Sequence, residues 1–353
     1  FPGVSGGPVE VNAWTDSGKS APANVMASQR VMLNGYFNEL DGTVYNVRPG
    51  AVPSGPSSTV TATNTDFNVT DSSGKVLTTL HAGQTATTIY WNNGYYVYTS
   101  TGFAHYGSSY IRMTPVSSGG IMQVTSYHDV PSWNTSLDDN LFRGTIEFRY
   151  SSVSSAVWVI EEVPIELYLR GIAETSTGSP PEFLKTMSVA ARDYALYNVN
   201  NGGKDYGSGH DIFDLKNSRN GNGDDQQYRG YGLEERFPDL TAAVDATTGQ
   251  VVTYQGSLAL SPYFSQSDGR TRSAQEVWNI TDMPWLASVP DPDCNGMQLL
   301  GHGVGISAYG ALQRASRGDS YQTILGYYLT GTAVQTMDTN RNIRVAIEQV
   351  PNP

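Results

Sequence analysis

The sequence has little cysteine, little charge and no long apolar run, and each shortage excludes a class of protein. With Cys294 as the single cysteine, neither an intrachain disulfide framework nor a thiolate zinc site can form. No apolar segment approaches the roughly 20 residues that a membrane-spanning helix needs, so we expect no membrane span. The net charge of −12 makes nucleic acid an unsuitable partner.

What the chain does contain is typical of a turn-rich β protein with a neutral, hydrogen-bonding surface. Its 353 residues are enough for two or three domains, and a hydrophobic share of 39% is enough for packed cores. Charged residues make up 15%, whereas the chain has 37 glycines and 22 tyrosines. Asn-x-Ser/Thr sequons occur at Asn68, Asn134 and Asn279, which favours a secreted or cell-surface protein.

Residues 1–115 show no helical period and are predicted to form one or two β modules of unknown role. Strands are predicted at 60–63, 87–91 and 95–98, with Asn-Gly turns between them. A Pro/Gly/Ser-rich stretch, 48–58, is predicted as a loop or linker. Residues 116–353 form the second predicted domain, which begins with further strands between 121 and 163.

The second domain adds helices to this β pattern. Ser179, Pro180 and Glu182 predict a capping box at the start of a helix that ends near Tyr197. The remaining predicted elements are a polar loop at 200–235, strands at 242–264, helices at 307–316 and 321–329, and a strand at 343–347. The fold class predicted from this order is α+β, predominantly β.

Glu174 is the first candidate for chemistry. It lies in the sequence GIAET, between an apolar segment and the predicted helix, and has no capping role. Burial at an apolar junction would raise the pKa of its carboxyl, as a general acid near neutral pH requires. The alternative is an ordinary surface glutamate in a loop.

Two loops could line a binding groove. His302 lies among three glycines in the segment GHGVG, just before a predicted helix, where a ligand could approach the backbone closely. Residues 265–271, SQSDGRT, follow a predicted strand and offer many hydrogen-bonding groups. The alternatives are a tight turn with a packed histidine and an ordinary loop.

Other catalytic classes find no support in the sequence. A Gly-x-Ser-x-Gly elbow, which a serine hydrolase would need, is absent. The five histidines show no metal-ligand spacing, so no metal and no cofactor are expected.

Several motifs resemble the SpoIID/LytB family, which is named for stage II sporulation protein D, over about residues 140–335. Residues 161–171, EEVPIELYLRG, resemble the family pattern NELPLEDYLxG, and Glu174 is followed at the family's spacing by KTMSVAARDYA at 185–195. Residues 243–254 resemble its strand turn, and 265–271 and 301–311 resemble its SxSGGxT and GHGVGMSQYGA segments.

The resemblance implies a lytic transglycosylase that cleaves peptidoglycan glycan strands between N-acetylmuramic acid and N-acetylglucosamine. In such an enzyme one glutamate, here Glu174, protonates the leaving oxygen and then removes a proton from the muramic C6 hydroxyl, closing a 1,6-anhydro ring. The substrate-binding residues implied by the same motifs are Arg192, Ser265, Ser267, Thr271, His302 and Ser307.

The chain departs from the family pattern at several positions. Leu167 replaces an aspartate, Asp268 a glycine and Ala308 a glutamine, and two residues are missing between Gly171 and Glu174. Two alternatives to the enzyme therefore stay open. One is a non-catalytic cell-wall binder that enhances a separate amidase, and the other is a surface structural protein that has kept the fold.

Overall fold

The computed structural model describes residues 52–218 and 225–351 in full, together with the backbone of four short strands that precede them. These four strands are β1 Val9–Trp14, β2 Ser20–Val25, β3 Glu39–Leu40 and β4 Thr43–Val44. The start of the predicted linker, residues 48–51, lies outside the described residues.

The chain forms two compact units. The first contains residues 1–128, 140–162 and 346–353, and the second contains 129–139 and 163–345. The first unit thus takes segments from both sides of residue 115 and from the end of the chain. The predicted domain boundary between residues 115 and 116 stays a prediction.

The first unit is built from antiparallel strands. In chain order they are β5 Ser57–Ala62, β6 Phe67–Thr70, β7 Val76–Leu80, β8 Thr85–Trp91, β9 Gly94–Thr99, β10 Ala104–Gly107, β11 Ile111–Pro115, β12 Ile121–Val124, β13 Leu141–Arg143, β14 Thr145–Ser151 and β15 Ala156–Pro164, the last of which continues into the second unit.

These strands form two sheets whose side chains meet in a common core. One sheet has the order β10-β9-β8-β5-β12-β13, and the other contains β15-β14-β11-β6-β7. Between β8 and β9, Asn92 and Asn93 take positive φ values of 49° and 60°, as a two-residue hairpin turn requires. Tyr95 of β9 packs edge-on against Phe148 of β14, with ring centroids 6.3 Å apart.

The second unit surrounds a long helix. Its elements are α1 Ile165–Leu169, α2 Pro181–Asn200, β16 Leu215–Lys216, α3 Gly230–Arg236, α4 Pro238–Ala246, β17 Gln250–Tyr254, β18 Ser257–Leu258, β19 Tyr263–Phe264, α5 Ala274–Trp278, β20 Ile306–Ser307, α6 Ala308–Ser316, α7 Tyr321–Tyr328, β21 Ala333–Thr336 and β22 Asn342–Val350, which runs on into the first unit. The predicted α+β class with predominant β structure is confirmed.

The long helix α2 has a mostly buried surface. Phe183, Met187 and Ala190 recur at helical spacing, and each is no more than 5% exposed. Small alanines at 190, 191 and 195 allow close contact with the elements packed around the helix. Because α2 is central, residues on its buried face hold neighbouring elements in place.

The predicted capping box at the start of α2 is wrong. The helix begins at Pro181, and the preceding Pro180 has no side chain that can cap it. Glu182 instead accepts hydrogen bonds from Lys185 Nζ at 2.7 Å and from the backbone N–H of Tyr321, the first residue of α7, at 2.9 Å. The carboxylate therefore accepts a hydrogen bond from a backbone group 139 residues away in the sequence, and not from the start of its own helix.

Two further predictions are corrected in this unit. Residues 242–246, predicted as strand, lie in α4, which starts at Pro238 in the first helical position. The predicted polar loop at 200–235 ends in helix α3 and includes the short strand β16, and its residues 219–224 lie outside the described residues.

Candidate active site

A short parallel strand pair brings the two predicted groove loops together. Tyr263 of β19 pairs with Ile306 of β20, and Phe264 pairs with Ser307. Segment 265–271 leaves the end of β19, whereas the GHGVG segment leads into β20. A Cβ atom on Gly305 would lie 2.1 Å from the carbonyl oxygen of Pro262, and Gly305 has a φ of +80°. Only glycine permits this approach.

His302 is held as a neutral ring in the wall of a cleft. Its ring centroid lies 5.0 Å from Trp278 and 5.7 Å from Phe264. The Nδ1 atom accepts a hydrogen bond from the N–H of Val304 at 3.1 Å, which places the proton of the neutral imidazole on Nε2. Burial lowers the pKa of His302 and outweighs a backbone hydrogen bond to Tyr263 that acts in the opposite direction.

We call this cleft the aromatic cleft. It has a volume of about 520 Å³. It is lined by Tyr194, Tyr197, Asn198, Lys204, Asp225, Gln226, Leu260, Pro262, Tyr263, Trp278 and His302. Aromatic rings with a few amide and charged groups are a lining that can take the apolar face of a sugar and bond its hydroxyl groups.

The carboxylate of Asp225 is fully engaged within the protein. One oxygen accepts hydrogen bonds from the Tyr194 hydroxyl and the Lys204 ammonium group, and the other from the Tyr206 hydroxyl and the N–H of Lys216. Its side chain has no exposed surface. With both oxygens accepting two bonds each, Asp225 is suited to fixing the cleft wall and unsuited to proton transfer.

Glu174 is fixed by the strand-like segment opposite it. Ala173 donates its N–H to the carbonyl of Gln227, and the N–H of Gln227 donates to Oε1 of Glu174 at 2.6 Å. The side chain is partly buried. Burial raises the pKa of the Glu174 carboxyl, and the hydrogen bond from Gln227 opposes that shift without cancelling it.

Glu174 borders the aromatic cleft through Tyr263 but does not line it. The negative charge of Glu174 contributes to the raised pKa of the Tyr263 phenol, second to burial. Tyr263 also makes the backbone hydrogen bond to His302, so one cleft residue interacts with both predicted groups. The hydroxyl of Tyr263 accepts a hydrogen bond from Gln226 Nε2 at 2.9 Å.

The residues beside Glu174 line a second cleft, which we call the arginine cleft. It has a volume of about 580 Å³. It is lined by Ser132, Trp133, Ala173, Thr175, Ser176, Thr177, Gln227, Arg229, Leu233, Arg236 and Phe237. Gln226 faces the aromatic cleft and Gln227 the arginine cleft, so the segment bonded to Glu174 separates the two.

Of the predicted substrate-binding residues, only Ser265 and His302 have surface available to a ligand. Ser265 is exposed, and His302 lines the aromatic cleft. The other four side chains, Arg192, Ser267, Thr271 and Ser307, belong to residues that are 0% exposed. Their binding roles stay predictions, and in this structure each is bonded to the protein itself.

Arg192 joins elements around α2. Its guanidinium bonds both oxygens of Glu166, with Nε–Oε1 at 2.9 Å and Nη2–Oε2 at 2.7 Å. It also donates to the carbonyl oxygens of Gln250 at 3.2 Å and Val244 at 3.4 Å. This geometry ties helix α2 to α1, α4 and β17.

The three buried hydroxyl groups hold the loops. Ser267 donates to Asp291 at 2.7 Å, and Thr271 accepts from the N–H of Val289 at 2.9 Å. Ser307 caps α6 by accepting from the N–H of Gly310 at 3.2 Å. We infer that these residues shape the loops around the clefts.

Sequence reasoning missed most of the side chains that form the cleft surfaces. Trp278 and Tyr263 stand near the recognised loops but outside their motifs, and Trp133 and Arg236 come from segments with no motif. No local pattern distinguishes such residues from packing aromatics or surface arginines. Among the described residues, no group of three His, Cys, Asp or Glu side chains could hold a metal ion.

Comparison with known proteins finds partial matches to one family. The model of the SpoIID family, described as stage II sporulation protein, matches residues 153–254. Stage II sporulation protein D of Bacillus subtilis is 28% identical over 160 residues, which cover 42% of this chain and 46% of that protein. The amidase enhancer of Bacillus subtilis is 30% identical over 158 residues, 44% of this chain and 20% of that protein.

A further relative is an uncharacterized protein of Brachyspira hyodysenteriae, 30% identical over 140 residues, which cover 39% of this chain and 34% of that protein. This chain thus spans less than half the length of these three relatives. The resemblance to the SpoIID family that the motifs predict is confirmed over residues 153–254. Within the described residues, we find no helix with the length and apolar character needed to cross a bilayer.

Proposed function

We propose that this protein is a secreted lytic transglycosylase that cleaves peptidoglycan glycan strands between N-acetylmuramic acid and N-acetylglucosamine, with Glu174 as general acid and base. The observation that carries the proposal is the Glu174 carboxyl, which has a raised pKa and is fixed by the N–H of Gln227 between two clefts. A raised pKa keeps the acid protonated closer to neutral pH.

In the proposed reaction, Glu174 donates its proton to the glycosidic oxygen as the bond to the muramic C1 carbon breaks. The resulting carboxylate then takes the proton of the C6 hydroxyl, whose oxygen bonds C1 and closes the anhydro ring. The substrate supplies the nucleophile, so one carboxyl group is sufficient, unlike the usual pair in glycosidases. This agrees with the engagement of Asp225, whose oxygens already accept four hydrogen bonds.

The aromatic cleft would bind the sugar on one side of the scissile bond. Trp278 and Tyr197 are half-buried and offer ring faces, while Asn198 and Gln226 offer amide groups. Substrate contact would exclude water from Glu174 and raise its pKa further.

A second candidate is a non-catalytic wall-binding protein that assists a cell-wall amidase. It is favoured by the identity with a protein named amidase enhancer and by the position of Glu174, which is absent from the lining of the aromatic cleft. In this function the clefts would bind glycan without cleaving it.

The test is digestion of purified glycan strands by the wild type and by Glu174→Gln, with anhydro-muramic ends measured by mass spectrometry. Glutamine keeps the acceptor for the Gln227 N–H but cannot donate a proton, so we expect product formation to fall about 10²- to 10⁴-fold. Glu235→Gln is the matched control, because Glu235 is exposed and lines neither cleft.

The outcomes separate the candidate functions. Equal product from wild type and Glu174→Gln would remove Glu174 from the mechanism. Binding of glycan without product from either protein would support the amidase-assisting function. If the protein neither binds nor cleaves glycan, the remaining candidate is a structural surface protein.

A further inference from the structure

Glu174 lies at the division between two clefts, and a strand cleaved at an internal bond must have a sugar on each side of the acid. Its neighbours Ala173 and Thr175 line the arginine cleft, whereas Tyr263, whose phenol interacts with its charge, lines the aromatic cleft. We propose that the arginine cleft is a subsite for N-acetylmuramic acid, and that Arg236 binds the carboxylate of its lactyl group. This proposal rests on the proposed function.

Arg236 has the charge and the free donors for this role. Its side chain is 30% exposed, and its Nη2 donates to Oδ1 of Asp139 at 2.7 Å. Among the described residues, Asp139 is its only hydrogen-bond partner, so N–H groups of the guanidinium remain available. Guanidinium N–H groups match the geometry of a carboxylate better than that of neutral hydroxyl groups.

The charge of the second arginine in the cleft, Arg229, is already balanced by neighbouring carboxylates. Arg229 is 4% exposed and contacts two carboxylates, Asp139 at 2.9 Å and Asp129 at 3.4 Å. Both oxygens of Asp139 are engaged, one by each arginine. Asp139 therefore positions Arg236, and of the two arginines Arg236 is the one that a ligand can reach.

Two further groups in the lining support binding of a ligand in this cleft. Trp133 is 68% exposed, although large aromatic residues normally bury most of their surface. The hydroxyl of Thr175, next to Glu174, is buried and has no hydrogen-bond partner within residues 52–218 and 225–351. A sugar in this cleft would cover the indole ring and bond the hydroxyl.

The test measures binding in the Glu174→Gln background, where cleavage is suppressed. Two ligands are compared by calorimetry: muramic acid-containing glycan oligomers, and chitin oligosaccharides of equal length, which lack the carboxylate. We expect Arg236→Gln to weaken binding of the muramic oligomers about tenfold or more, and to change chitin binding less than about twofold. Carboxyl-methylated muramic oligomers should bind the Arg236→Gln protein and its parent about equally.

Trp133→Ala should weaken binding of both ligands, and because Trp133 is exposed, this substitution should leave the thermal transition unchanged. Arg317→Gln is the matched control, since Arg317 forms an exposed pair with Asp293 and lines neither cleft. An equal effect of Arg236→Gln on both ligands, or no effect on either, would overturn the inference. If Arg236→Gln weakens binding of the muramic oligomers alone but the wild type does not cleave glycan, only the proposed transglycosylase activity is refuted.

Discussion

Replacing Arg192 with methionine separates its two interpretations, a glycan contact and a structural brace. The sequence motif implies the first, whereas the structure shows a residue with no exposed surface that bonds Glu166 through two nitrogens. Methionine approximates the length of the side chain but removes the charge and every donor.

The structure sets the magnitude of the expected destabilisation. Removing one partner of a buried ion pair costs about 3–5 kcal/mol. The Glu166 side chain is 24% exposed and keeps hydrogen bonds from Thr339 at 2.9 Å and Gly249 at 3.3 Å, so water and these donors offset part of the loss. We therefore expect the free energy of unfolding to fall by about 2–4 kcal/mol. For a domain of this size that lowers Tm by roughly 4–16 °C.

The assay pairs thermal unfolding with glycan binding measured well below the transition. We expect a lower Tm for Arg192→Met and near-normal binding by the protein that remains folded. Arg341→Met is the control, because Arg341 is 52% exposed in its side chain. An unchanged Tm combined with lost glycan binding would refute the brace and restore the predicted contact.

Two other predictions concern the candidate site. Because the folded-state pKa of Glu174 is raised above its ordinary value of 4.5, its contribution to stability is present below that pH and is lost as pH rises through the folded pKa. The Tm of Glu174→Gln relative to wild type should therefore increase between pH 4 and 8, and a flat difference would contradict the raised pKa. Gly305→Ala should lower the free energy of unfolding by more than about 2 kcal/mol, since positive φ alone costs roughly 1–2 kcal/mol and its Cβ would also strike the Pro262 carbonyl. Gly318→Ala is the control for the effect of positive φ alone, because Gly318 has a φ of +98° and no atom lies within 4 Å of the new Cβ. Equal losses of Tm in the two variants would exclude the steric contribution at Gly305.

Elements with local signals were predictable from the sequence. The helices predicted at 307–316 and 321–329 occur as Ala308–Ser316 and Tyr321–Tyr328, because Ser307 and Ser320 cap them by accepting backbone N–H groups. The strands predicted at 87–91 and 95–98 lie in β8 and β9, whose turn needs two residues with positive φ and has asparagine at both positions.

The failures arise where distant contacts outweigh local patterns. Glu182 has the spacing of a capping box, but its carboxylate bonds the N–H of Tyr321 instead. In α4, the alanines and valine from residue 242 onward predict a strand, although Pro238 and Asp239 before them are a helix start signal. The role of Glu174 as acid stays a prediction.

We propose that the motif residues shape the loops of the candidate site and that the cleft residues contact its ligand. Ser267, Thr271 and Ser307 are 0% exposed and use their hydroxyl groups within the protein, so a glycan could contact them only after the loops move. The contacts that would choose a ligand therefore fall to side chains outside the motifs, such as Trp278 and Arg236. We therefore propose that proteins with the same motifs share the loop scaffold and differ in the glycans they bind, and we expect exchange of the residues of the two clefts to transfer glycan preference without altering the fold.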